Sequence, residues 1–221
     1  MAAAIIAAVE LRGLVPGGRV ASGGRAAVLW RCLPGLIMGL SVTLIVAMVP
    51  RHATQIVAAL LYAGWLVWRE REPADSPTPL VQVLLVQAVM FEAIFLMAAV
   101  WQVPGWLILI LVWAGAYLGV YGALTRRGDH SAGVMAATWG VVAAEVAWVL
   151  MLWLITYTMT GGYVLVPQPA LILTALAYIF GSILTSSRQG NLSQSRLSEY
   201  MVIALILVAI VVFGTSWRGN I

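Results

Sequence analysis

Apolar runs and short polar breaks alternate along this chain from about residue 30 almost to its end. Seven runs meet or approach the ~20 residues a helix needs to cross about 30 Å of hydrocarbon. They cover approximately 30–49, 53–68, 79–101, 104–124, 132–157, 168–186 and 197–214. The pattern predicts an all-α fold, a polytopic transmembrane bundle of about seven spans, with no loop long enough for a soluble domain. The second run is the shortest. Its Trp65 and Trp68 would anchor its end at the interface ahead of Arg69.

The breaks carry the residues expected of turns. Pro50 and Pro104 fall at the first two outer turns, and Gly161 and Gly162 loosen the third. Pro167 and Pro169 bracket the start of the sixth run, where a missing N–H costs nothing. The segments 69–79 and 186–196 are polar and read as exposed loops. Residues 1–29 form an Arg/Gly-rich tail, partly flexible, ahead of a transmembrane domain over 30–221. The apolar stretch 1–9 has no basic residue before it and is too short to span, so it does not read as a secretory signal. A cytoplasmic tail with a short interfacial helix, an organellar transit segment and an early start remain alternatives for this region.

Composition supports lipid as the solvent. The chain is 62% hydrophobic and 9% charged, with a mean hydropathy of +0.99. Soluble domains run at roughly 45–50% apolar and about 25% charged. Charge then adds an orientation. With the N-terminus inside, ten of the twelve arginines fall on the cytoplasmic side, and only Arg51 and Arg218 fall outside. That bias predicts N-terminus in and C-terminus out. It also needs the second run to be a span, since dropping it scatters the later arginines. The short loops and small size suggest a cell membrane, of prokaryotic inner-membrane type.

Charge also excludes chemistry. Every basic residue is arginine, so a Schiff base on lysine is ruled out. The net charge of +4 sits in loops beside apolar runs and implies no nucleic-acid partner. Cys32 is the single cysteine, so no intrachain disulfide forms. His52 and His130 fall on opposite faces of the predicted topology and cannot share a metal. Asp129, His130 and Ser131 are adjacent in a loop, which does not supply converging catalytic geometry. No nucleotide, zinc-hydrolase or nucleophile-elbow motif stands in a suitable context. No cofactor, no metal and no enzymatic activity are expected. A lipid-modifying enzyme using Arg126, Arg127, Asp129 and His130 ranks last.

Two acids remain. Glu92 and Glu145 each lie about 12–13 residues into an apolar run, near the predicted midplane. An acid there costs roughly 2.5–3.5 kcal/mol on insertion scales before it finds partners. With Gln87, Tyr117 and Tyr178 they form a candidate proton or solute site; Gln82, Thr138 and Thr174 are further polar neighbours. The competing reading makes the acids interhelical hydrogen-bonding groups, worth about 0.6 kcal/mol each on average. Gln82, Gln87 and Glu92 are spaced by five and spiral around their helix, so they do not form a single polar channel. Gly115 and Gly119, and Gly133 and Gly140 among neighbouring alanines, form small-residue faces for helix packing. A weak repeat pairs runs three and five through their glutamates, and runs four and six through Leu-Ile-Leu and Ala-Tyr.

Two functions follow. One is a small transporter or transport subunit with two midplane carboxylates. The other is a non-catalytic membrane scaffold or assembly subunit that docks partner helices, from another membrane protein or in a homo-oligomer. The bilayer is a partner in either case.

Overall fold

The computed structural model describes residues 25–48, 52–70, 80–125, 131–152, 154–159, 164–188, 190 and 194–215. The described residues form seven helices and one two-stranded hairpin: α1 (Arg25–Met48), α2 (His52–Glu70), α3 (Leu80–Trp101), α4 (Gly105–Thr125), α5 (Ala132–Met151), β1 (Thr156–Met159), β2 (Val164–Pro167), α6 (Gln168–Arg188) and α7 (Gln194–Thr215). One helix falls on each apolar run. Four of them, α3 to α6, are long and apolar enough to cross a membrane. α1 and α2 carry shorter apolar stretches, Leu33–Met48 and Gln55–Trp68. The tail before residue 25 and the loop holding Arg126, Arg127, Asp129 and His130 lie outside the described residues.

The hairpin corrects the expected extent of the fifth run, within a fold that is otherwise helical. The fifth run was expected to be helical to residue 157, but α5 stops at Met151 and Thr156–Met159 is a strand. It pairs antiparallel with Val164–Pro167, with Tyr157 opposite Val166 and Thr158 opposite Leu165. The reason is local. Thr156, Tyr157 and Thr158, then Val164 and Val166, are β-branched or aromatic, and Gly161-Gly162 lies between the two segments. That composition favours a hairpin over a continued helix, and hydropathy alone does not register it. Pro167 ends β2, where its missing N–H interrupts no ladder. The Gln168 N–H then donates to the Ile155 carbonyl at 2.8 Å, tying the start of α6 to the strand.

α3 is the hub. It packs against α1, α4, α6 and β2, while α5 packs chiefly on α4, and α7 on α6. The buried face of α4 recurs every four residues: Ile108, Val112, Ala116, Val120 and Leu124. α5 answers with Ala132, Ala136, Ala143 and Ala147. Phe91 and Phe95 of α3, and Leu173 of α6, fill the space between, all at 0% exposure. A second cluster, Met38, Tyr62, Trp65 and Val86, joins α1 and α2 to α3. In lipid there is little transfer energy to gain from helix contact, because acyl chains are as apolar as leucine. Dispersion and shape therefore decide which faces meet.

Glycine makes those faces fit. A Cβ on Gly115 would collide with the Met90 side chain, and one on Gly119 would stand 2.7 Å from Gln87 Nε2. Both contacts join α4 to α3. At Gly140 a Cβ would lie 3.1 Å from the Trp113 backbone carbonyl, so α5 rides on α4 at near-backbone distance. Gly133 differs, with nothing within 4 Å of the same construction. The outer faces are strongly apolar. Leu60, Leu61 and Leu205 are 67%, 71% and 72% exposed, which suits a hydrocarbon surround and not water.

Candidate functional site

The five polar residues expected to form one site are not brought to one place. Glu145 is exposed on α5, six residues before the helix ends. One turn to either side, Val141, Val142, Trp148 and Val149 are exposed as well. The small-residue face of α5 is the buried one, so the carboxyl points away from the helix that α5 packs against. Glu92 is half-buried on α3. At 100° per residue it shares the least buried side of that helix with Val81, Leu85 and Ala99. α3 and α5 both pack on α4, so the two glutamates stand on helices that α4 separates.

The neutral neighbours are committed elsewhere. Gln87 is 2% exposed, and its Nε2 donates to the Ala116 carbonyl of α4 at 3.4 Å. Tyr117 is half-buried in a stacked ladder with Trp113 and Tyr121, at centroid separations of 5.7 and 5.4 Å. Tyr178 is half-buried on α6. Thr138 Oγ1 donates to the Val134 carbonyl at 3.0 Å, and Thr174 Oγ1 to the Ala170 carbonyl at 2.7 Å. Thr43, Thr125 and Thr185 bond their own helices in the same way. This i to i−4 bonding satisfies each hydroxyl locally and leaves it no proton to give a carboxylate. His52, in the first turn of α2, lies 3.3 Å from Gln55 Oε1.

A second enclosed polar residue of α3 is Gln82, which the run pattern marked only as a neighbour. It is 5% exposed, and its Nε2 is sealed from solvent with no hydrogen bond among the described residues. It lines a narrow cleft of about 30 Å³, open to the outside, between α1, the start of α3 and the ends of α2 and α4. The other walls are apolar: Leu33, Pro34 and Ile37 from α1, Trp65 from α2, Val83 and Val86 from α3, and Leu118, Gly119, Gly122 and Ala123 from α4. Pro34 contributes a ring and no N–H. Two signals could have found the cleft. A carboxamide stands two residues into an apolar helix, and a proline sits inside α1.

The arrangement thus separates two features. An acid stands on an outward apolar face of α5, and an unsatisfied amide lies behind an apolar cleft at one end of the bundle. Compared with known protein families, curated proteins and solved structures, the chain matches none.

Proposed function

We propose that the chain is a non-catalytic assembly subunit of a membrane complex, crossing the bilayer seven times with its N-terminus inside. One helix on each of the seven apolar runs and the arginine bias support that topology. The outward position of Glu145 carries the docking part of the reading. A carboxyl on a face of valines and tryptophan is unfavourable against acyl chains, and intramembrane acids find a partner group. The described residues supply none at Glu145. The occupant is a helix of a different chain, bearing a basic or hydrogen-bond-donating side chain at that level. All twelve arginines lie outside the apolar cores of the runs, so a second copy of this chain would bring no basic side chain to that level.

The transport reading required the two carboxyls to act together. With α4 between their helices, the arrangement lends that coupling no support. A photo-crosslinking amino acid at Val141 or Trp148, in the full chain in its native membrane, tests the docking reading. A polypeptide adduct of one defined mass is expected, lost when Glu145→Leu is added. Adducts with lipid alone, or a polypeptide adduct indifferent to Glu145→Leu, would overturn it.

A further inference from the structure

The exposed side of α5 has a period, and that period deepens the docking reading, on which this inference rests. Between Ala132 and Leu152 the exposed residues are Val134, Thr138, Val141, Glu145, Trp148 and Leu152, with Val142 and Val149 beside them. The first six are spaced 4, 3, 4, 3 and 4. Written as a heptad, Val134, Val141 and Trp148 take position d, and Thr138, Glu145 and Leu152 take position a. Val142 and Val149 take position e, and no residue at the other four positions is exposed. A straight α-helix has 3.6 residues per turn, so a seam of period 3.5 drifts about 20° per heptad. It stays against a neighbour only where the two helices coil left-handedly, knobs into holes. From Val134 to Leu152 the seam rises about 27 Å, nearly the ~30 Å of hydrocarbon. A steep crossing would use only its middle; one helix at a shallow angle uses all of it.

Valine and tryptophan would suit acyl chains as well as a helix. Position a separates the two occupants. Thr138 and Glu145 stand there one heptad apart, between apolar residues at d. A polar residue at position a fixes the register of a helix pair at a cost in stability. Facing lipid it would carry the cost and fix nothing. Thr138 Oγ1 donates to the Val134 carbonyl of its own helix, so Glu145 is the seam group left to be met. Val141 and Trp148, one turn to either side, shield it from water once a helix is seated. There a cation meets the carboxyl through charge-assisted bonds, about twice as strong as neutral ones, and acids within membranes pair with basic groups. We propose that one transmembrane helix of another chain lies along the whole length of α5 as a left-handed pair, with an arginine or lysine of its own seam at the level of Glu145.

The test places a photo-crosslinking amino acid singly at Val134, Val141, Trp148 and Leu152 of the full chain in its native membrane. Tandem mass spectrometry of each adduct locates the attached residue. All four positions are expected to capture one polypeptide through one apolar segment. The points attached to Val141 and Trp148 should lie about seven residues apart, with an arginine or lysine between them. Glu145→Gln keeps an acceptor and removes the charge, and should cut the yield at Val141 and Trp148 at least about tenfold. Adducts at Val141 and Trp148 without Val134 and Leu152 would overturn the full-length pair and leave the docking reading standing. Attachment points on separate segments, or an adduct of twice the mass of this chain, would also overturn the pair. Undiminished yield in Glu145→Gln, or no basic residue between the two points, would overturn the charge pairing. Lipid adducts alone at all four positions would overturn this proposal and the docking reading together.

Discussion

Gln87 on α3 occupies the space that a side chain at Gly119 on α4 would need. Its Nε2 stands 2.7 Å from where the Cβ would be, and it uses that position to reach the Ala116 carbonyl at 3.4 Å. The missing side chain and the interhelical hydrogen bond are one device. Gly119→Ala should therefore cost about 1–3 kcal/mol, as overpacking of a tight contact does. Gln87→Ala should recover at least ~0.5 kcal/mol of that loss in the double variant, because the two positions couple directly. Unfolding of the four proteins in mixed micelles measures the cycle, and strict additivity would refute the coupling.

Gly140 and Gly133 belong to the same small-residue series yet should behave oppositely. At Gly140 the obstacle includes the backbone carbonyl of Trp113 at 3.1 Å, which no rotamer change can remove. Gly140→Ala must push α4 and α5 apart by a few tenths of an ångström and should destabilise. Gly133 meets nothing within 4 Å, so Gly133→Ala should stabilise by about 0.5–1 kcal/mol through helix propensity alone. Melting temperatures of the two variants in one detergent decide this, and the same sign for both would contradict it.

Much of this was legible in the sequence, and the reasons for what was not are physical. Hydropathy placed a helix on every run because apolar length and helical length coincide in such chains. It overran at Thr156 because Leu154 and Ile155 carry the apolar run past the helix end and no charge, proline or glycine marks the boundary before Gly161. It marked Glu92 and Glu145 as exceptional residues, but not which way they face. Facing depends on which sides of α3 and α5 the neighbouring helices cover, and one chain's apolar runs carry little record of that. Gln82 was visible as a residue; its enclosure depends on α1, α2 and α4 converging around it.

Among the described residues two in turns have positive φ, and they should respond in opposite directions. Gln102, between α3 and α4, has φ 51°, a conformation unfavourable for a residue with a Cβ. Gln102→Gly should stabilise by about 1 kcal/mol. Gly190, just past α6, has φ 65° with its N–H on the Ser187 carbonyl at 3.3 Å. Gly190→Ala should cost a similar amount, as expected for a left-handed residue closing a helix. Chemical denaturation of both variants provides the comparison.

Trp139 stacks on Phe180 at a centroid distance of 5.0 Å, yet its indole Nε1 is buried with no partner among the described residues. The ring and the N–H therefore pull in opposite directions. Trp139→Phe keeps the stack and removes the unmet donor, at the expense of some volume. Its change should stay within about 1 kcal/mol. Trp139→Ala should lose about 3–5 kcal/mol. Near-equal losses in both would mean that the N–H has a partner in the folded protein.

The dependence of α1 on α3 sets a schedule for biogenesis. The large core is built by α3 to α6, and the first two helices attach to it through α1 and the cluster around Met38 and Val86. Synthesis runs the other way. The opening helical pair leaves the ribosome before its docking surface exists, and α2 gains little beyond α1 until the third helix arrives. Formation and final assembly are separate events for this pair. An interval in which α1 and α2 lack their docking surface is built into the order of the chain.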